Sequence, residues 1–370
     1  MARSTVQRLR GYWLTVHKWI GLCLAILIIP VSITGAALVW DGWLDAQLNP
    51  QRYAVSTGEA RLTPARYADA ARSRAGPDDR LTSLRYPEDG EGPVVAGLTR
   101  ARRGEGPPQR TNVWIDPGTG RVLDAAGSNS GLVRIFHNLH GSLLVPGWGR
   151  NLVGWVGVFM FISCLTGIWL WWPITGSFRR GFRWKRQNST NANLHHLLGF
   201  WIMLPLAVLS FTGFWISFPG VFGGGAPPGA RQGPAQPLAG TRLAPDAALA
   251  AAQPLSRGAR LTGITWPTDR APEWRLAYER IGEIAVNDAT GAASPPQRGG
   301  GQQRPLMRRL HDGTGMSPVW QVIIFIGGII PAILAITGLV MWWRSRGWKK
   351  ALARKRKERA LGRAAPQPAQ

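Results

Sequence analysis

Leu194-His-His-Leu-Leu-Gly-Phe-Trp-Ile-Met-Leu-Pro-Leu-Ala-Val-Leu-Ser-Phe-Thr-Gly213 is an apolar run opened by histidine and closed by Thr-Gly. It holds no Asp, Glu, Lys or Arg, and with the residues after it is long enough to cross a hydrocarbon core of about 30 Å. The same frame stands at the front of the chain, where His17-Lys-Trp-Ile-Gly21 leads to Thr34-Gly35. In both copies Gly follows His by four residues and Thr follows it by seventeen. A second frame alternates with the first. His140 precedes Thr166-Gly167 by twenty-six residues, with Trp171-Trp172 just after; His311 precedes Thr337-Gly338 by the same twenty-six, with Trp342-Trp343 just after. Four of the six histidines therefore fall into two matched pairs.

Four stretches read as membrane spans: Trp19–Trp40, Asn151–Trp172, Leu197–Phe218 and Val319–Trp343. None carries a charged side chain, and tryptophan gathers at their ends as an interfacial belt. The net charge of +24 is concentrated elsewhere. Residues 1–18 carry four Lys/Arg and no acid, 174–194 carry five and no acid, and 344–370 carry ten against Glu358. The long segments 41–150 and 219–312 hold the other 25 basic and 19 acidic residues and are nearly balanced. The positive-inside rule then puts both termini and the 174–194 loop in the cytoplasm. Topology accounts for the basic surplus, so nucleic acid is not an expected partner. The first apolar run is too long for a signal peptide and is read as a retained span. Cys23 and Cys164 lie inside spans, so no disulfide framework is expected.

The segments between spans also repeat. Pro64–Arg72 and Pro245–Ala252 read as helices. Each is followed by Arg-Leu-Thr-x-x-x-aromatic-Pro-x-Asp, starting at Arg80 and at Arg260, an offset of 180 residues. Asp116…Thr119-Gly120 and Asn287…Thr290-Gly291 read as hairpin turns 171 residues apart, the same offset as His140 and His311. The expected fold is a mainly α membrane protein, a four-transmembrane-helix bundle from a duplicated span–outer domain–span unit with two small α+β outer domains. Its expected divisions are 1–18 (cytoplasmic), 19–40 (span 1), 41–150 (outer domain 1), 151–173 (span 2), 174–194 (basic loop), 195–218 (span 3), 219–318 (outer domain 2 with Gly/Pro-rich connectors), 319–343 (span 4) and 344–370 (basic tail, disordered from 350). The lipid bilayer is thus the first expected partner.

A unit with an even number of spans repeats in parallel, so its pseudo-twofold axis lies along the membrane normal. That axis exchanges His17 with His195 and His140 with His311, and members of each pair share a depth. Pairing His17 with His140 would have to cross most of a core of about 30 Å. Two sites are therefore expected, an inner one at His17 and His195 and an outer one at His140 and His311. Two neutral imidazoles without carboxylate or thiolate do not make a zinc site. They do suit the two axial positions of a haem iron, whose macrocycle supplies the other four ligands. Two haem b groups, one per leaflet, would form an electron path. Gly21 and Gly199, one turn after their histidines, leave room for a flat ring. The Thr-Gly pairs read as close helix packing or hydrogen bonding. His137 falls where Arg308 stands in the other copy, and His196 where Lys18 stands. Both are reserve ligands, and the plainer reading is that each supports a ligating ring or reaches out to the polar interface. Arg134, Arg150, Arg308 and Arg309 are candidate partners for propionates or an anionic substrate.

His17-Lys-Trp-Ile-Gly21, Leu139-His140, Gly149-Arg150-Asn-Leu-Val-Gly154, Leu194-His195-His-Leu-Leu-Gly199 and the closing Thr-Gly-x-x-x-Trp-Trp segments resemble the PepSY-associated transmembrane family. The outer segments resemble PepSY domains, and the likeness covers roughly residues 10–345. The resemblance implies a bacterial inner-membrane protein, similar to di-haem reductases that release iron from ferric siderophores in the periplasm. It implies a ferric siderophore or another periplasmic electron acceptor as partner. The 27 residues after Trp343 leave no room for a fused flavin reductase, so a membrane quinol or a separate cytoplasmic flavin reductase is the expected donor. Two other classes stay open: a non-enzymatic scaffold whose outer domains bind peptides or regulate a protease, and a transporter component. Against the last, no acid lies within a span. Hydrolase signatures are absent from the sequence, and no catalytic side chain is assigned.

Overall fold

The computed structural model describes residues 5–87, 90–100, 109–128, 130–172, 179, 183, 189–222, 235–296 and 306–364, the last helix with side chains to 347. The helices in chain order are α1 (Thr5–Ala37), α2 (Asp41–Leu48), α3 (Pro64–Arg72), α4 (Leu132–Ser142), α5 (Gly149–Trp171), α6 (Thr190–Ser217), α7 (Pro245–Ser256), α8 (Leu306–Asp312) and α9 (Pro318–Ala364). The strands are β1 (Asp79–Arg85), β2 (Val94–Arg100), β3 (Arg110–Ile115), β4 (Val122–Gly127), β5 (Leu261–Thr265), β6 (Glu273–Tyr278) and β7 (Gly282–Asn287). The chain divides into two compact units. One holds Met1–Val39, Phe136–Gly225 and Pro305–Gln370; the other holds Trp40–Ile135 and Ala226–Arg304.

The first unit is helical, and α1, α5, α6 and α9 each contain a segment long and apolar enough to cross a membrane. Their outward positions stay apolar, as a lipid-facing surface requires: Ile26 is 78% exposed and Leu204 is 68% exposed. α1 packs on α5 and α9, and α6 packs on the same two, so α1 and α6 stand diagonally opposite each other. Close approach is made by glycine. A Cβ at Gly157 of α5 would come to 3.1 Å from Ser210 O of α6, and one at Gly328 of α9 to 2.9 Å from Ser32 O of α1. Between the helices lie two apolar clusters. Leu24, Ile28 and Val156 form one; Cys164, Ile202 and Leu206 form the other, and Met160 touches both.

These helices outrun their apolar cores. α1 begins at Thr5 and α6 at Thr190, so His17 and His195 sit within helices instead of at their mouths. Ser189 caps α6, its hydroxyl accepting from Ala192 N–H at 3.3 Å. α9 continues to Ala364, which corrects the expectation of a disordered tail from 350. Its Ala, Leu, Lys and Arg content explains this, since all four are strong helix formers.

The second unit corrects the expectation of two separate outer domains. Its strands form one seven-stranded antiparallel sheet in the order β4-β3-β2-β1-β5-β6-β7. The join is β1 on β5, where Leu84 pairs with Ile264. These residues are 180 positions apart, the offset of the repeated Arg-Leu-Thr frame. Irregularities fall at Leu81/Ser83 and again at Leu261/Gly263. In each, the threonine bonds across: Thr82 Oγ1 donates to Gly97 O at 2.9 Å and Thr262 Oγ1 to Ala277 O at 3.2 Å. α3 and α7 cover one face. They bury Leu84, Ile264, Leu276, Ile284, Val113 and Trp274 in one core with Tyr67. Joined at β1 and β5, the two halves bury this face in one continuous core. In the β3–β4 turn Gly120 takes φ +75°, and its N–H donates to Asp116 O at 2.9 Å; Gly291 takes φ +71° in the matching position after Asn287.

Candidate site of four histidines

The helical unit brings the four matched histidines into two facing pairs. The ring centres of His17 and His195 are 6.3 Å apart at an interplanar angle of 85°. Those of His140 and His311 are 5.9 Å apart at 42°. Along α1, His17 and the residue that holds His140, Val31, are fourteen positions apart, about 21 Å at ~1.5 Å per residue. Leu24 and Ile28 of one apolar cluster lie on this stretch. All four rings are half-buried.

Each ring is held through Nδ1 by the helix that carries a Thr-Gly pair. His17 Nδ1 lies 2.9 Å from Thr166 Oγ1 and 3.3 Å from Ser163 Oγ. His195 Nδ1 lies 3.1 Å from both Leu334 O and Thr337 Oγ1. His311 Nδ1 lies 3.1 Å from both Leu209 O and Thr212 Oγ1. His140 Nδ1 lies 2.8 Å from Val31 O. The four threonines are buried. Each spends its single hydroxyl proton on its own helix, Thr34 at Pro30 O, Thr166 at Ile162 O, Thr212 at Val208 O and Thr337 at Ile333 O.

This pattern sets the tautomer. A carbonyl only accepts, so the rings of His140, His195 and His311 must donate from Nδ1–H. Their Nε2 then carries a bare lone pair, which is the metal-ligating form of imidazole. Burial also favours the neutral form at His140 and His311. It holds His140 below the ordinary imidazole range, and it takes His311, with the His140 ring beside it, down to about 4.

The glycines of the Thr-Gly pairs make room for the same rings. A Cβ at Gly35 would meet His140 Cε1 at 2.6 Å, and one at Gly213 would meet His311 Cε1 at 3.1 Å. At Gly167 the distance to His17 Cε1 would be 3.4 Å, and at Gly338 to His195 Cε1 3.6 Å. The Thr-Gly pair is thus a histidine seat, while Gly157 and Gly328 make the close helix contacts. The repeat of the motif at four places in register with four histidines was the signal for this. Gly21 and Gly199 border open space, for a Cβ at either meets nothing within 4 Å.

The reserve candidates are not brought into the pairs. His137 is exposed on α4, and His196 stacks on Trp171 with ring centres 5.9 Å apart. Arg150 donates to Ile216 O, and Arg309 to Gly315 O and Met316 Sδ. Arg134 and Arg308 are exposed. Arg10 was not singled out in the sequence, yet it donates to Leu170 O and to Trp172 O at the end of α5.

What fits between two such rings follows from their spacing. Two metal–imidazole bonds of about 2 Å, each with about 1.2 Å from nitrogen to ring centre, span about 6.4 Å. Separations of 6.3 and 5.9 Å are close to that figure. Among the described residues no three His, Cys, Asp or Glu side chains converge on one point. A group that brings its own equatorial ligands fits this donor set better than a bare ion.

The profile of a protein family described as "PepSY-associated TM region" matches residues 14–345. Comparison with curated proteins gives no match.

Proposed function

The chain belongs to the PepSY-associated TM region family, and from that premise and the seating of its histidines we propose that it is an inner-membrane di-haem b oxidoreductase. Electrons would pass from the cytoplasmic side to a periplasmic acceptor, with ferric siderophore iron as the substrate. The carrying observation is the Nδ1–H bonding of the histidines, which leaves in each pair an Nε2 lone pair that could ligate a haem iron. His17 and His195 would hold one haem and His140 and His311 the other. When bound, the haem iron takes up and gives up one electron at a time. Thr166, Thr337 and Thr212 hold their rings in place. Leu24, Ile28, Ile202 and Leu206 keep the space between the sites apolar. Reduction of siderophore-bound Fe(III) by one electron gives Fe(II), which hard oxygen ligands hold less tightly.

The same reading takes the chain as one span–domain–span unit present twice, with both termini cytoplasmic and two PepSY-like halves fused in one sheet. The pairing of Leu84 with Ile264 supports it, as does the exchange of His17–Thr166 with His195–Thr337. A membrane quinol or a separate flavin reductase would be the donor. A scaffold that binds peptides or regulates a protease is the second reading, favoured by the sheet edge at β4, where an extended peptide could add a strand.

The deciding experiment is an absorbance spectrum of protein purified from haem-sufficient cells, with haem counted per chain. The reductase reading expects two bis-histidine haems, a spectrum that shifts with dithionite, and loss of one haem each in His17→Ala and His140→Ala. Colourless protein would overturn it and leave the scaffold.

A further inference from the structure

α3 and α7 cover one face of the seven-stranded sheet, and the other face carries donors that the fold does not use. Strand residues alternate between faces, so Ser83 and Arg85 point away from the core that takes Leu84 between them. Thr265, next to Ile264, and Arg275, between Trp274 and Leu276, point the same way. The register gathers these four at the seam of the two halves. Ser83 pairs with Thr265 across β1 and β5, and Thr265 pairs with Arg275 across β5 and β6. Arg85 stands two residues along β1 from Ser83 and pairs with Gly263. Two strand spacings and two residues of rise put Arg85 and Arg275 about 12 Å apart. Gly263 lies between them, and Gly97 continues the low floor on β2, where a Cβ would lie 2.6 Å from Ser83 Oγ.

Arg85, Thr265 and Arg275 are exposed. Among the described residues the side chains of Arg85, Ser83 and Thr265 make no hydrogen bond or ion pair, and Arg275 has Glu273 at 3.3 Å in a solvent-exposed pair that contributes little. Along the row of Arg85 the first acids are Asp124 on one side and Glu283 on the other, each three strands or about 14 Å away. Asp124 is already bound by Arg52 at 2.7 Å. Arg52 shows what an arginine with a structural task looks like here: it bridges Asp45 and Asp124 and lies 4.0 Å from the centre of the Trp114 ring.

The geometry points to this face as a docking platform for an oxygen-rich polyanion. Guanidinium forks pair with two oxygens at a time, and the hydroxyls of Ser83 and Thr265 can donate to others. The glycine floor lets a bulky ligand approach the strands. The identity of the ligand rests on the reductase reading: a ferric chelate with carboxylate or catecholate oxygens, in preference to a neutral or cationic hydroxamate chelate. The platform exists because the halves share a sheet, since Ser83 and Arg85 come from the first and Thr265 and Arg275 from the second.

The test uses gallium(III) chelates, which bind as the iron ones do and are not reduced. Gallium(III) tris-catecholate, gallium(III) citrate and a gallium(III) trihydroxamate are titrated into the full chain, held in nanodiscs of zwitterionic lipid, with microscale thermophoresis as the readout. The two anionic chelates should bind more tightly than the trihydroxamate by about tenfold or more, and salt should weaken them. Arg85→Gln and Arg275→Gln should each weaken the anionic chelates by about tenfold or more, and Ser83→Ala by between about two- and tenfold. Arg85→Lys, which keeps the charge without the fork, should restore part of the loss. Arg66→Gln removes the same charge from an exposed position on α3 and should change affinity by less than about twofold. Equal affinity for the three chelates, or equal losses in Arg85→Gln and Arg66→Gln, overturns the inference. The haem spectrum is read separately. A haem-bearing chain that binds no anionic chelate sinks the platform and keeps the reductase reading, whereas a colourless chain that binds one through Arg85 keeps the platform and sinks that reading.

Discussion

A Cβ on Gly35 would lie 2.6 Å from Cε1 and 2.8 Å from Nδ1 of His140, closer than real Cβ atoms come to a ring. The glycine is therefore part of the histidine's seat. Gly35→Ala should push the imidazole off Val31 O and cost the His140–His311 site its haem. Alanine is the better helix former by about 1 kcal/mol, so the loss cannot come from α1 itself. Gly213→Ala, with 3.1 Å to His311, should weaken the site, and Gly338→Ala, with 3.6 Å to His195, should be close to neutral. Haem per chain, set beside far-UV circular dichroism, checks the graded series. Equal haem in all three variants would refute it.

Gly21 and Gly199 make the opposite case, since each borders space that no protein atom fills. Alanine at either position should change neither stability nor haem content by much. Gly199→Leu should fill the space beside His195 and remove one haem while leaving the melting temperature within a few degrees. Two haems retained in Gly21→Leu and Gly199→Leu would mean that the ring does not occupy this space.

The parts of the fold set by long-range repetition were legible in the sequence. The spans followed from runs without charge, and the pairing of histidines followed from matched spacing, because both are properties of residue type and separation along the chain. Which atom of His195 would be held, and by what, was not legible. It depends on Leu334 O, a backbone group that any residue at that position would present. The single sheet was hidden for a related reason. Leu84 and Ile264 are ordinary strand residues, and nothing in either half states that its edge is closed by the other.

Leu84 and Ile264 meet at the centre of the sheet, and both are fully buried. Leu84→Ala should destabilise the sheet unit by about 2–5 kcal/mol through the cavity it leaves. Because the core is continuous, the loss should appear in both halves. Hydrogen–deuterium exchange of the full chain should show faster exchange in β2 and in β6 alike. Protection lost in β2 alone would indicate that the two halves are independently stable.

Asp288 carries the clearest pH dependence outside the membrane spans. Burial alone would raise its carboxyl pKa, but the N–H groups of Arg242 and Leu243 and the Trp274 indole N–H, all within 3.1 Å, outweigh this and hold it below the ordinary range. A carboxylate whose pKa is lower in the folded than in the unfolded chain stabilises the fold above its unfolded value, near 3.9. That contribution is lost as the pH falls through the folded value, so protection of β6 and β7 should weaken below about pH 4. Asp116 is held low in the same way, against its own burial, by Ser56, Gly118 and Thr119, and adds to the same acid limb. Asp288→Ala should leave three buried or half-buried donors without an acceptor and cost about 2–3 kcal/mol at pH 7. It should also flatten the acid limb without abolishing it, because Asp116 remains. Exchange rates in β6 and β7 between pH 7 and pH 3, compared with wild type after correction for intrinsic chemistry, measure both effects. An acid limb as steep in Asp288→Ala as in wild type would remove Asp288 as its source.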